Sequence, residues 1–235
     1  MTLDILYRDD DIVAVDKPSG LLVHRSWIDK DETRFALQLV RDMLGCYVYP
    51  VHRLDKPTSG VLLFALNKTA AAALSETFAA HRVEKTYHAV VRGYIDETGL
   101  IDYPLKPLHD KMTDARSDKP AQDALTRYER LATAEIPVAV GRYATARYSL
   151  AALHPATGRK HQLRRHMKHI FHPIVGDTKY GRTEHNVLFR ERFDAHRLLL
   201  SCVSLTFEHP ANGRLLNIEA PYDAAFAHVI DTLFA

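Results

Sequence analysis

Cysteine is nearly absent: in 235 residues only Cys46 and Cys202 occur, far apart and without Cys-x-x-Cys spacing. That argues against a disulfide framework and against a thiolate metal site, and fits two isolated thiols in a reducing compartment. Glycine and proline, at 10 and 11 residues, are too few for a low-complexity or collagen-like chain. No apolar run approaches the roughly 20 residues needed to cross a bilayer. The opening Met1-Thr2-Leu3-Asp4 has no basic stretch leading into an apolar core, so no signal peptide is expected and the expected location is cytoplasmic. Charge of one sign is not in excess either, with 31 Lys+Arg against 29 Asp+Glu and a formal net charge of +2. What remains is ordinary for a globular protein, 46% hydrophobic and 26% charged. A chain of this length buries roughly 70% of its unfolded surface.

The balanced total hides an uneven distribution. Residues 1–35 carry a net charge of −3, whereas residues 157–182 carry seven Lys/Arg against Asp177 alone, together with His161, His166, His169 and His172. A basic segment on a nearly neutral chain points either to a localised polyanion site or to a solvated helix face.

Hydrophobic periodicity outlines the elements. Ile5–Tyr7 and Ile12–Val15 flank an acidic turn and read as a hairpin. Thr33–Leu44 reads as a helix stopped by Gly45, and Thr69–His81 as a second. Strands are expected at Val61–Leu66, Thr86–Val91, Leu125–Leu131, Ala144–Leu153 and Cys202–Phe207. Asn212-Gly213 turns the last of these into Leu215–Ile218. A terminal helix spans Asp223–Phe234, and residues 103–123 read as a surface excursion. Strands outnumber helices and come in hairpin-like pairs, which predicts an α+β fold with a mostly antiparallel sheet.

Three stretches carry chemistry. In His52-Arg53-Leu54-Asp55-Lys56-Pro57-Thr58-Ser59-Gly60, Arg53 and Asp55 project to one side of an extended segment. A neighbouring guanidinium keeps a carboxylate ionised, and a carboxylate on a rigid turn can act as nucleophile or base. A similar turn, Asp16-Lys17-Pro18-Ser19-Gly20, precedes it, and spacing alone does not choose between Asp55 and Asp16. In Thr157-Gly158-Arg159-Lys160-His161-Gln162-Leu163-Arg164, a loop feeds a helix with Leu163, Met167 and Ile170 on its buried face. Its basic side chains suit phosphate, or a buried carboxylate elsewhere in the fold. The four histidines here lack the carboxylate and spacing of a zinc site, so no metal is expected. The third stretch is Lys85-Thr86-Tyr87. A strand tyrosine ordinarily packs in a sheet, and one facing a cleft can stack on a base and offer a phenol for proton transfer.

Taken in order, His52-Arg53-Leu54-Asp55 with Thr58-Ser59-Gly60, then Lys85-Thr86-Tyr87, then Gly158-Arg159-x-His161-Gln162-Leu163-Arg164, resemble the RluA family of pseudouridine synthases. His172-Pro173-Ile174-x-Gly176-Asp177-x-Lys179-Tyr180-Gly181 and Asp16-Lys17-Pro18-x-Gly20 resemble two further motifs of that family, so the likeness spans about residues 5 to 220. Narrower likeness to its tRNA-modifying members rests on Leu22-Val23-His24-Arg25-Ser26-Trp27, on Pro137-Val138-x-x-Gly141-Arg142-Tyr143 and on Gly158-Arg159-Lys160-His161.

The resemblance implies a single catalytic domain over residues 1–235, in two lobes around a central active-site cleft, without a preceding S4 RNA-binding domain. It implies isomerisation of a uridine to pseudouridine in tRNA, with position 65 the expected target; the same reaction on ribosomal RNA, or a non-catalytic RNA-binding module, are the alternatives. Asp55 matches the nucleophile, which also decides between the two turns. Tyr87 matches the tyrosine that packs on the base, Arg164 the arginine paired with the aspartate, and Arg53 the arginine that fills the space of the flipped base. His52, Arg159, His161, Gln162 and Lys179 are expected as substrate contacts. Isomerisation consumes no second molecule, so no cofactor is expected. The expected partner is tRNA, with no membrane and no obligate protein partner, and a monomer suffices.

Overall fold

The computed structural model describes residues 2–24, 33–108 and 119–235. Arg25, Ser26 and Trp27, and residues 109–118 of the expected surface excursion at 103–123, lie outside the described residues. In chain order the elements are β1 (Ile5–Arg8), β2 (Ile12–Lys17), α1 (Ala36–Leu44), β3 (Tyr49–Pro50), β4 (Ser59–Ala65), α2 (Lys68–Ala79), β5 (Glu84–Arg92) and β6 (Thr98–Asp102). They continue with β7 (Leu125–Ile136), β8 (Ala146–Pro155), α3 (Gln162–His169), α4 (Thr183–Phe193), β9 (Leu200–Glu208), β10 (Leu215–Glu219) and α5 (Ala224–Leu233). This is the α+β class that the strand count predicts. The chain divides into two compact units.

The first unit takes residues up to Lys85 and returns for Cys202–Pro221. Its hairpin β1–β2 pairs onward, antiparallel, with β4, in a register that sets Lys17 opposite Gly60 and Val15 opposite Leu62. β4 is buried along its whole length, as its continuous apolar run requires. Val13, Val15, Leu62 and Phe64 share one sheet face and pack against α1 through Ala36 and Val40. That helix stripe is offset by one residue from the expected Phe35/Leu39/Met43 spacing, because Phe35 is the extended N-cap residue. Gly45 closes α1 in the left-handed conformation, as expected of a helix stop. Asn67 caps α2, accepting from the Ala70 N–H at 2.8 Å. β9 and β10 form the hairpin foreseen from Asn212-Gly213.

The second unit comprises Thr86–Pro107, Pro120–Ser201 and Tyr222–Ala235. β5, β8, β7 and β6 pair antiparallel in that order. Alternation along β5 and β8 divides the unit into two cores. Ala89, Val91, Ala151 and Leu153 face Leu163 and Met167 of α3, whereas Val90, Tyr148 and Leu150 face Phe189 of α4 and Phe226 of α5. The stretch before α4 is stitched to β5: the Val175 N–H donates to the Val90 carbonyl, and the Val175 carbonyl accepts from the Leu199 N–H.

At two glycines of positive φ a side chain would strike a neighbouring backbone. A Cβ on Gly60 (φ +104°) would lie 2.0 Å from the Cys202 carbonyl oxygen, and one on Gly176 (φ +80°) would lie 1.9 Å from that of Arg197. Gly213 has φ +69° but open space around it. Left-handed backbone costs a non-glycine residue about 1–2 kcal/mol. Gly213→Ala should therefore lose about that much stability, and Gly60→Ala at least twice as much, because two backbones must also separate. Urea unfolding midpoints compare them; equal losses would mean that the Gly60 backbone relaxes freely.

Candidate active site

In the first unit the site residues ride on the loop between β3 and β4. Asp55 opens a turn closed by the Thr58 N–H donating to the Asp55 carbonyl at 3.0 Å, with Lys56-Pro57 at its centre. Proline pre-sets φ there and the turn stiffens. The similar N-terminal turn packs directly on this one. The Gly20 N–H donates to the Lys56 carbonyl at 2.8 Å, and the Ser19 hydroxyl to the Pro57 carbonyl at 2.8 Å. Lys17, fully buried, donates from Nζ to the carbonyls of Pro18, Leu21 and Lys56 at 2.9, 2.7 and 3.2 Å. A buried ammonium thus clamps the two turns together, and the internal likeness in the sequence is a likeness between surfaces in contact. Asp55 itself is half-buried and Arg53 exposed.

His52 turns inward. Its Nε2 accepts from the Leu63 N–H at 2.9 Å, and its ring stacks on Phe78 with centroids 4.9 Å apart and planes 11° from parallel. Burial, aided by the Lys85 ammonium, lowers its pKa to about 3, so the ring is neutral and remains an acceptor. The sequence reading makes His52 a substrate contact; in the structure it fixes the base of the Asp55 loop to β4.

In the second unit Tyr87 stands half-buried on β5, packed against the cluster that contains Leu163 and Met167. Arg164 is buried on α3 and grips Asp177 with a two-pronged fork, Nε to Oδ2 at 2.7 Å and an Nη to Oδ1 at 3.0 Å. Asp177 also accepts from the backbone N–H groups of Lys179 and Tyr180 at 2.9 and 3.0 Å. Burial alone would raise its pKa; the Arg164 fork and the two N–H groups override burial and hold it below the usual carboxylate value. The sequence leaves phosphate and a buried carboxylate open as partners for this helix, and Asp177 is such a carboxylate. The Tyr180 ring lies between cations, 5.2 Å from Arg164, 5.6 Å from Lys179 and 6.0 Å from Lys168, and its hydroxyl meets His161 Nδ1 at 3.0 Å.

His161 enters α3 with a left-handed φ of 57°. Gln162 is saturated: Nε2 donates to the Leu125 carbonyl and the Thr126 hydroxyl, while Oε1 accepts from the Thr157 hydroxyl and the Arg159 N–H. It ties the loop before α3 to β7. Arg159 reaches the Asp123 carbonyl at 3.0 Å, and Lys179 is exposed.

The four histidines of the basic segment take separate partners: Tyr180 for His161, Thr126 and the Tyr103 carbonyl for His166, the Tyr103 ring for His169 and the Arg92 carbonyl for His172. Ligand-type atoms do converge at Asp9, Asp11 and His209, a group that the sequence reading misses because His209 is remote in the chain. Both Asp9 oxygens there already accept hydrogen bonds, from the Asp11 and Ile12 N–H groups and from Tyr7 and His209.

Residues 11–169 match the family described as RNA pseudouridylate synthase. The chain is 57% identical over 224 residues to tRNA pseudouridine synthase C of Haemophilus ducreyi, covering 95% of this chain and 92% of that one. It is 55% identical over 223 residues to the protein of that name from Vibrio cholerae, covering 94% and 91%. Among solved structures, Human RNA Pseudouridylate Synthase Domain Containing 4 is similar with a TM-score of 0.72 at 28% identity, covering 97% of this chain and 92% of that chain.

Two outcomes follow from the geometry. Removing one partner of a buried, hydrogen-bonded ion pair costs about 3–5 kcal/mol, so Asp177→Asn should lower unfolding stability by that order; urea titration measures it, and a loss under about 1 kcal/mol would count against the fork as a structural tie. Because the folded His52 pKa, about 3, lies below its ordinary 6.5, the unfolded chain binds more protons between those values. This contribution is complete above pH 6.5 and declines as pH falls below it. His52→Gln should therefore flatten the dependence of the urea midpoint on pH between 7.5 and 5; parallel curves for the two proteins would contradict this.

Proposed function

The chain belongs to the RNA pseudouridylate synthase family, and from that premise we propose that it isomerises uridine to pseudouridine in tRNA, at position 65, with Asp55 as nucleophile. The observation that carries the reading is likeness to tRNA-acting relatives over nearly the full length of both chains. The choice of position 65 rests on the narrower sequence likeness at Pro137–Tyr143 and Gly158–His161.

The reaction exchanges a C–N glycosidic bond for a C–C bond: the freed base turns, its carbon joins the ribose, that carbon loses a proton and the released nitrogen gains one. Atoms balance with no cofactor. A base stacked in RNA is out of reach, so it must be flipped out, at a cost of a few kcal/mol. Asp55 suits attack on the flipped nucleotide because its turn is already rigid before the substrate arrives: Lys17 and Ser19 anchor it from below and His52 from the β4 side. Tyr87 offers a ring for stacking and a phenol for proton transfer. Arg164, held in one orientation by Asp177, matches the arginine that the family pairs with its aspartate. Arg53, exposed beside Asp55, takes the space that the flipped base leaves. Arg159, His161 and Lys179 supply phosphate contacts.

Tritium release from RNA labelled at uridine C5 tests the proposal. The wild-type protein should release tritium from tRNA and not from ribosomal RNA. Asp55→Asn should lower release on the order of 10³-fold or more while tRNA affinity stays within a few-fold. Retained turnover in Asp55→Asn would remove Asp55 as nucleophile, and equal release from ribosomal RNA would remove the substrate assignment.

A further inference from the structure

The Pro137–Tyr143 stretch carries no part of the chemistry above, yet it forms one wall of a cavity of about 790 Å³ lying wholly within the second unit. That volume falls in the ~300–1,000 Å³ range of built ligand sites. Four arginines line it, Arg92, Arg142, Arg147 and Arg182, against one lining carboxylate, Glu184. Tyr143 and Phe171 line it too and are 53% and 82% exposed. Exposed aromatic rings interleaved with guanidinium groups suit bases and phosphates, and suit neither an apolar peptide nor a lipid tail.

The cavity is held in shape. Arg92 Nε donates to His185 Nε2 at 3.2 Å, so His185 carries its proton on Nδ1 and donates it to the buried Tyr148 hydroxyl at 2.8 Å. Arg147 is tied to Glu135 at 3.1 Å, with its guanidinium over the Tyr94 ring. Arg142 lies over Tyr143 and donates to its hydroxyl at 3.0 Å. Arg142 and Arg182 are exposed. The cavity is also remote from Tyr87: Arg92 lies five positions further along β5, about 17 Å at a strand's rise, and on the opposite sheet face.

We propose that this cavity is a second RNA-docking site, in which Arg142 and Arg182 hold backbone phosphates of the substrate RNA outside its reacting region while Tyr143 and Phe171 pack against its sugars or bases. The proposal rests on the reading of the chain as a tRNA-modifying enzyme. A folded tRNA carries backbone outside its reacting region that such a site can hold, and a stem-loop trimmed to the target lacks it.

The test measures binding of a transcribed tRNA by fluorescence anisotropy across a salt series. Each phosphate contact contributes about 0.9 to the slope of log affinity against log salt. Arg142→Gln combined with Arg182→Gln should lower the slope by about 1.8 and weaken binding on the order of 10-fold at 0.1 M salt. The same pair should leave binding of a target stem-loop unchanged. Arg190→Gln with Arg192→Gln, an equal charge change on α4 outside the cavity, should leave the tRNA slope as in the wild type. An unchanged slope in the first pair, an equal fall in the second, or tight binding of AMP with the tRNA slope unaltered would overturn the proposal. Wild-type protein that forms pseudouridine alongside an unchanged slope removes this inference alone; wild-type protein that forms none removes the functional reading on which it rests.

Discussion

The buried fork between Arg164 and Asp177 is the constraint around which the second unit is arranged. A guanidinium and a carboxylate withdrawn from water are tolerable only when each meets the other in good geometry and the remaining oxygens find donors. Here the Lys179 and Tyr180 N–H groups complete the carboxylate, so the loop after Gly176 must fold over α3 in one way. Gly176 makes that approach possible, since any side chain there would strike the Arg197 backbone. The chain 172–177 is pinned in turn to β5 by the Val175–Val90 and Arg92–Pro173 bonds. One ion pair therefore fixes a helix, a loop and a strand, and gives Arg164 a rigid orientation before any substrate arrives.

The first unit solves the same positioning problem with backbone rather than charge pairs. Lys17 donates to three carbonyls drawn from two facing turns, and the turns become a single block. His52 adds a tie from the other side by staying neutral and accepting a β4 N–H. His52 lies three residues before Asp55 and Lys17 pairs with Gly60 just after its turn, and both act through the loop that carries Asp55.

Much of this was legible in the residues. β4 announces itself as a continuous apolar run, α2 and α5 by helical spacing over Thr69–His81 and Asp223–Phe234, and the last hairpin by Asn212-Gly213. α4 was hidden because Phe189 and Phe193 alone are buried on a helix otherwise rich in charge. β6 was hidden because Gly99, which weakens a strand signal, lies beneath the Tyr128 ring. At the site, the pattern identified the Asp55 turn and the α3 loop, since local spacing fixes both. It could not separate side chains that meet ligand from those that hold the fold. Gln162 and His52 look available in sequence and are engaged in the structure by Leu125, Thr126 and Leu63. For the same reason local charge overstated the surface of residues 157–182, where Arg164 is an interior group and Arg182 lines a different cavity.

The contact between Gly60 and the Cys202 backbone has a consequence for synthesis. The strand that follows the Asp55 turn seats against a segment that leaves the ribosome only after all of the second unit but Tyr222–Ala235 has been made. The nascent first unit is therefore an incomplete sheet while the second emerges, with β4 awaiting a late partner. Closing so long a loop adds little to its entropic cost, which grows only logarithmically, but non-local pairing of this kind slows folding. The Asp55 loop is thus among the last parts of the molecule to mature, and a chain truncated before Cys202 lacks the backbone against which Gly60 is fitted.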